Sequence, residues 1–112
     1  MENIENKYEE LVKAFHLTWD NYPWTARLID NNSRVLAVNK TVKAQGGMPG
    51  QICAKMGAPG VHKGCKRALA LSSGEPQYDM PTPGRIRVWI PVDGYPDVVV
   101  HFSVYVPQQN EN

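Results

Sequence analysis

Two cysteines and a histidine in the middle of the chain are the residues whose types and spacing could do chemistry. His62 and Cys65 are three residues apart, so a helix would place both on one face, and Cys53 comes before them. Thiolate and imidazole are zinc ligands, but zinc needs four protein ligands, or three and an open position. We favour the alternative that Cys65 packs as a small apolar residue, because lone cysteines are among the most buried residues.

A second hypothesis makes Cys65 a reactive thiol, because nearby positive charges favour the thiolate. Three basic residues flank it: Lys63, Lys66 and Arg67. A reversible disulfide with Cys53 would then be a redox switch, whereas an unreactive thiol on a surface helix is the simpler alternative. The chain has no Cys-x-x-Cys-His motif for covalent haem, and His62 is the best-placed axial ligand for a non-covalent haem. We expect no bound metal, with Cys53, His62 and Cys65 as the candidate ligands if one binds.

No set of residues predicts catalysis. The sequence lacks the Gly-x-Ser-x-Gly, P-loop and Gly-x-Gly-x-x-Gly motifs. Several aspartates fall at predicted turns or strand ends, where their side chains suit the backbone. They are Asp20, Asp30, Asp79, Asp93 and Asp97. We therefore expect a protein that is not an enzyme.

Composition excludes several other classes. The 112 residues suit one domain, and 12 basic against 11 acidic residues give a net charge of +1, with no footprint for nucleic acid or a membrane surface. The acidic, polar start is unlike a signal peptide, and the longest apolar run is far below the roughly 20 residues of a membrane helix. We expect a cytoplasmic protein that binds neither nucleic acid nor membrane, with thiols kept reduced.

Two alternating runs in the last third of the chain predict a β-hairpin that turns at Asp93-Gly94. One face of this hairpin is aliphatic: Ile86, Val88, Ile90, Val92, Val98, Val100, Phe102, Val104 and Val106. The other face mixes aromatic, polar and charged residues: Arg85, Arg87, Trp89, Val99, His101, Ser103 and Tyr105. We expect the aliphatic face to be core, and the mixed face, which is too apolar for water alone, to be covered by another element.

The rest of the chain supplies the remaining elements. An apolar stripe predicts an amphipathic helix over residues 4–19, and a hairpin follows with strands at 24–30 and 34–38. Asn39 is a predicted N-cap for a short helix that Gly46-Gly47 ends. A second helix over 61–72 and a short strand over 75–80 precede the last hairpin. This order predicts an α+β fold with an antiparallel sheet.

The order of elements resembles the PAS domain family over residues 24 to 106. Val38-Asn39 matches the strand end and helix-capping Asn of that family, and the glycines of GGMPG (46–50) match a glycine-bearing segment. Pro91-Val92-Asp93-Gly94 looks like a shortened form of the family's turn motif, but the Asp-x-Thr that often leads into an output domain is absent. The resemblance implies a PAS-like five-stranded antiparallel sheet, with short helices over one face enclosing a small pocket, and a sensory or dimerisation role.

With that arrangement we expect three segments: an N-terminal amphipathic helix (1–22) covering the other sheet face, a PAS-like domain (23–107) and a disordered tail (108–112). The expected ligand pocket is lined by Leu36, Val38, Ile52, Cys53, His62, Cys65, Leu69, Ile86, Val88, Ile90, Val100 and Phe102. We expect a homodimer, with covering within one subunit as the alternative. The expected interface between the N-terminal helix and the outer sheet surface comprises Tyr8, Leu11, Val12, Phe15, Trp19, Trp89, His101 and Tyr105.

Three functional hypotheses follow. The first is a PAS-like sensory module that binds a small ligand in an apolar pocket and signals through dimer geometry or a partner protein. The second is a ligand-free interaction or dimerisation module with a filled core. The third is a metal or redox sensor at Cys53, His62 and Cys65. The sequence itself requires no cofactor, and a non-covalent haem or a small metabolite stays open as the ligand.

Overall fold

The computed structural model describes residues 8–51 and 65–107. Three helices and five strands follow one another along this part of the chain. In order they are α1 (Glu9–Trp19), β1 (Ala26–Asp30), β2 (Val35–Val38), α2 (Lys40–Ala44), α3 (Arg67–Ser73), β3 (Gln77–Thr82), β4 (Arg85–Val92) and β5 (Tyr95–Tyr105). Among these described helices, none has the length and apolar character needed to cross a membrane.

The strands form one open antiparallel sheet in the order β2-β1-β5-β4-β3. The long strand β5 lies at the centre and pairs with β1 and β4. Gly94 has a φ of +84° in the turn between β4 and β5, a conformation that glycine adopts without strain. The predicted α+β class, the antiparallel sheet and the last hairpin are confirmed.

Several element boundaries differ from the predictions, and the second helix and the strand after it differ in ways that affect the site. Within the described residues the helix predicted over 61–72 begins only at Arg67, so Cys65 precedes it and is not helical. The strand predicted to end at Met80 continues through Pro81 to Thr82. It can do so because β3 is an edge strand. On the side of β3 that has no neighbouring strand, the missing N–H of Pro81 removes no hydrogen bond from the sheet.

The buried side chains form two clusters on opposite faces of the sheet. One cluster joins the N-terminal helix region to the sheet: Tyr8, Phe15, Ala26, Leu28, Ala37 and Val98. The other joins α2 and α3 residues to the sheet: Ile29, Val35, Val38, Val42, Ala70, Trp89 and Val99. Val98 and Val99 are neighbours on β5 and belong to different clusters, as period-2 alternation requires. We call the first side the α1 face and the second the Trp89 face.

The predicted assignment of the hairpin residues to these two sides is wrong. Val100 and Phe102, expected to line a pocket under the short helices, pack instead with the α1 cluster. Trp89, expected under the N-terminal helix, packs with Val42 and Ala70 of the short helices. Ile86, Val88 and Ile90 alternate with Trp89 on β4, so they too lie on the α1 face and not in the pocket predicted for them.

The physical reason is that alternation shows which residues share a face but not which helix meets that face. The aliphatic face was assumed to be the one under the short helices. Instead, aromatic residues of α1 and of the loop after it pack against Phe102. The ring centre of Phe102 lies 4.8 Å from that of Trp19 and 5.8 Å from that of Tyr22. On the mixed face, Arg87 is paired with Asp79 and His101 is hydrogen-bonded to the Val88 carbonyl, which lowers the cost of burying these two polar side chains.

Candidate functional site

The centre of the Trp89 face is a stacked pair of rings. Trp89 and His101 are directly opposite each other on β4 and β5, and their rings are 4.7 Å apart and nearly parallel, at 5°. Trp89 is 0% exposed. The His101 Nδ1 lies 3.0 Å from the Val88 carbonyl oxygen. A carbonyl can only accept, so Nδ1 carries a proton and donates, and Nε2 of the neutral ring is left as an acceptor.

His101 is a neutral side chain at pH 7. Burial lowers its pKa to about 4, because a buried imidazolium loses hydration. Three arginines, Arg27, Arg85 and Arg87, lower the pKa further by repulsion, and the hydrogen bond to Val88 opposes them. The same three charges therefore converge on His101 from β1 and β4.

Arg87 is held by a carboxylate and by the aromatic pair. Its Nε and Nη2 donate to the two carboxylate oxygens of Asp79 on β3 at 2.9 and 2.6 Å, a bidentate pair. The guanidinium carbon lies 5.2 Å from the centre of the Trp89 ring. The hydrogen bond from Arg87 lowers the pKa of Asp79, and the same bond raises the pKa of Arg87. Both partners therefore stay charged.

On this face, Trp89 and Arg85 each carry a buried donor atom without an acceptor in the described part of the chain. Neither Trp89 Nε1 nor Arg85 Nε has a hydrogen-bond partner among the residues that the structure describes. Within the same residues Arg85 forms no ion pair, although its charge acts on both His101 and Asp79. A buried donor without an acceptor costs free energy, so each of these two groups calls for an explanation.

The residues around Cys65 lie at the margin of this face. Among the described residues Cys65 is a free, exposed thiol, and it lies close enough to Arg87 for an electrostatic interaction. The next residue, Lys66, donates from Nζ to the Tyr78 carbonyl oxygen at 3.2 Å. The interpretation of Cys65 as a buried small apolar residue is wrong, because the helix begins after it.

The α1 face, by contrast, satisfies the polar atoms described on it. The Tyr8 hydroxyl donates to Asp97 Oδ2 at 2.6 Å, and the Tyr22 hydroxyl donates to the Ser103 carbonyl oxygen at 2.6 Å. Burial, followed by the bond to Asp97, raises the pKa of Tyr8 to about 12. These bonds anchor α1 and the loop after it to β5.

Asn39 connects the two sides of the molecule. Its Oδ1 accepts from the backbone N–H of Val42 at 3.1 Å, so the predicted N-cap of α2 is confirmed. Its Nδ2 donates to the carbonyl oxygens of Trp24 at 2.8 Å and Trp19 at 3.1 Å. One buried amide therefore fixes the end of α1, the start of β1 and the start of α2.

The other predicted site residues are dispersed. Ile52, Cys53 and His62 lie outside the described residues. Of the predicted pocket walls, Val38 lies in the Trp89 cluster, whereas Leu36 packs against the α1 cluster and Leu69 is exposed. Five of the predicted interface residues do lie on the α1 face. Tyr8 and Phe15 belong to its buried cluster, and Leu11, Val12 and Trp19 pack against that cluster. Tyr105 is exposed and contacts Trp24 edge to face.

Sequence reasoning missed Arg85, Arg87 and Asp79 as parts of a site. The signal was present: RIRVW in β4 places Arg85, Arg87 and Trp89 on one face at spacing two. An aspartate eight residues before Arg87, on the preceding strand, could have been paired with it through the hairpin. Within the described part of the chain, no group of three His, Cys, Asp or Glu residues could hold a metal ion.

No family model matches this chain, and comparisons with curated proteins and with solved structures found no match. What the protein does is therefore inferred from the chemistry of the Trp89 face.

Proposed function

We propose that the protein is a PAS-like sensory module that binds a small ligand against the Trp89 face, beside α2 and α3. The observation that supports this proposal is the buried indole N–H of Trp89, which has no acceptor among the described residues. A core built only for stability would satisfy that donor or use a phenylalanine. A ligand with an acceptor atom supplies the missing bond.

The signal passes through β5, because that strand is shared by both faces. His101 and Ser103 lie on the ligand side of β5, and Val100 and Phe102 between them pack toward α1. Tyr22 is bonded to the Ser103 carbonyl, so the loop after α1 is attached to the same stretch of strand. A ligand that favours one position of residues 100–103 of β5 therefore also favours one packing of α1 on the sheet. A partner protein or a second subunit detects this packing.

Native mass spectrometry of the purified protein, combined with its visible absorption spectrum, tests ligand binding. We expect a mass above the 12.6 kDa of the chain that disappears on denaturation. The Trp89→Phe variant should lose this extra mass, because it lacks the indole N–H. Trp24→Phe, at the half-buried edge near Tyr105, is the matched control and should keep it. A bare mass for the wild type, with no binding in the titrations described below, contradicts the proposal.

A second candidate function, homodimerisation, is favoured by the part of the α1 face that α1 leaves open. The helix packs over β1 and β2, whereas Ile86, Val88 and Ile90 on β4 are half-buried. On the neighbouring edge strand, Tyr78 is 71% exposed and Met80 is 60% exposed. Adjacent apolar side chains of this kind are typical of a protein interface. Such a surface would serve an interaction module with or without a ligand.

Sedimentation analysis tests this second candidate. We expect the wild type to sediment as a dimer and Tyr78→Glu as a monomer, because a charge in the interface would lose its hydration. Leu17→Glu is the control, since Leu17 is 90% exposed on α1, away from the sheet. A monomeric wild type, or a dimer unaffected by Tyr78→Glu, would show that this surface is not the interface.

A further inference from the structure

Among the described residues the Trp89 face carries more positive than negative charge, and this bears on the class of ligand. Arg85 and Arg87 both act on Asp79, and within the same residues the ion pair of Asp79 is with Arg87. Lys66 adds a third positive charge near the same carboxylate. The segment 52–64, which joins the two described parts of the chain, contains two lysines and no aspartate or glutamate. No carboxylate from that segment can therefore neutralise Arg85.

The two unmatched donors lie on the same side of one strand. Arg85 and Trp89 are four residues apart on β4, so their side chains share a face and their Cα atoms are about 13 Å apart. The arginine reaches across part of this distance, but a single-atom ion would still be too small to touch both donors. A molecule that meets both needs an acceptor at each end.

The surroundings also set the charge of that molecule. A cation is repelled by the arginines that converge on His101. His101 is neutral, so it offers no positive charge of its own, and its ring already covers one face of Trp89. The ring face that His101 covers therefore cannot stack on a ligand, and the N–H edge of the indole, which is buried, is the part that lacks an acceptor among the described residues.

Building on the proposed function, we propose that the ligand is a small organic anion. Its carboxylate or phosphate group binds the Arg85 guanidinium, and a second acceptor atom several ångströms away binds the indole N–H of Trp89. Arginine suits either anion because its N–H groups are arranged as a planar fork. A carboxylate and a phosphate group would bind Arg85 in the same way, and the titrations below distinguish between them.

The experiment follows the indole N–H resonance of Trp89 in a two-dimensional ¹H–¹⁵N spectrum of the full chain, assigned with Trp89→Phe. The titrants are succinate, inorganic phosphate and succinamide, which has the shape of succinic acid without the charge. Sodium chloride keeps the ionic strength constant, so that general screening is equal in all three. We expect succinate to move the resonance and succinamide to leave it in place.

Two variants that remove one positive charge each sharpen the test. Arg85→Gln should weaken succinate binding about tenfold or more, the usual worth of a charge-assisted bond. Arg34→Gln, in the turn between β1 and β2, removes the same charge elsewhere and should leave the affinity unchanged. Thermal unfolding of both variants shows whether they fold. Phosphate moving the resonance at lower concentration than succinate would identify a phosphate-bearing ligand.

Three outcomes overturn the proposal: no response to either anion, an equal response to succinamide, or unchanged affinity in Arg85→Gln. The native mass spectrum separates these failures from failure of the sensory proposal. A bound neutral or cationic molecule would leave the sensory function standing and remove the anion. A bare protein that also ignores every titrant would remove both.

Discussion

The two faces of the sheet differ in how their polar atoms are satisfied. On the α1 face, hydroxyl groups reach acceptors: Tyr8 donates to Asp97 and Tyr22 to the Ser103 carbonyl. On the Trp89 face, Trp89 Nε1 and Arg85 Nε are buried without an acceptor among the described residues. The first face has the chemistry of a structural core. The second has buried donors in excess of acceptors among the described residues, and the proposed ligand site depends on this excess.

The largest expected effect is on the α1 face, in Phe15→Ala. Phe15 is the fully packed residue of α1, and its ring meets the sheet-side cluster. Its truncation should lower the free energy of unfolding by about 4 kcal/mol, the range for a buried phenylalanine. Urea unfolding measures this loss. Because the proposed signal couples the ligand site to the packing of α1, the variant that remains folded at low temperature should bind succinate with a changed affinity, and binding equal to that of the wild type would contradict the proposed signal.

Acid should act on the opposite face, through His101. The pKa of this side chain is about 4 in the folded protein and about 6.5 unfolded, so between these values the unfolded chain binds more protons. Stability is therefore lost as the pH falls from 6.5 to 4, by up to about 3 kcal/mol. The groups that face His101 are the three arginines, which oppose its protonation, and the Val88 carbonyl. Unfolding curves across this pH window measure the loss.

The His101→Gln variant is the control for this pH dependence. Glutamine can donate to the Val88 carbonyl but does not titrate, so the slope of stability between pH 6.5 and 4 should become shallower. Asp79, whose pKa is lowered by Arg87, contributes below this window, because its stabilising charge is lost only in more acidic solution. An equal slope in wild type and variant would mean that His101 is not buried as neutral imidazole.

A smaller loss should follow from breaking the Arg87–Asp79 ion pair of the Trp89 face. Asp79→Asn removes the partner of a buried guanidinium and should cost about 2 kcal/mol, because Asp79 itself is partly exposed. Asp93→Asn, which removes the same charge from the exposed turn, should change little. Asp79→Asn also removes a negative charge from the Trp89 face. This variant should therefore bind succinate more tightly than the wild type. Weaker binding would contradict the anion site.

Much of the fold was predictable from local signals. Alternation in the last third predicted both strands of the hairpin, and the side-chain chemistry of Asn39 predicted the start of α2. These signals act between residues close in sequence. The extra bonds from Asn39 to the carbonyls of Trp19 and Trp24 depend on the path of the chain between α1 and β1, so no local pattern could predict them.

The site was predictable only in part. The composition of each face of β4 and β5 followed from the sequence, but the side on which α1 packs depends on ring-to-ring fit such as that of Trp19 with Phe102. The Arg87–Asp79 pair depends on the register of β3, which begins later than predicted. Both are long-range properties, whereas patterns of apolar and polar residues report burial alone.

The smallest effect should come from the hydrogen bond of Tyr8 on the α1 face. Tyr8→Phe loses the bond to Asp97 and should lower stability by about 1 kcal/mol at pH 7. The pKa of Tyr8 is raised to about 12, so the unfolded chain releases this proton first as the pH rises above 10. The wild type should therefore lose stability between pH 10 and 12, and the variant should lose less. Equal losses would show that the Tyr8 hydroxyl is not buried. The α1 face could then no longer be contrasted with the Trp89 face as the one whose buried polar atoms, among the described residues, are all hydrogen-bonded.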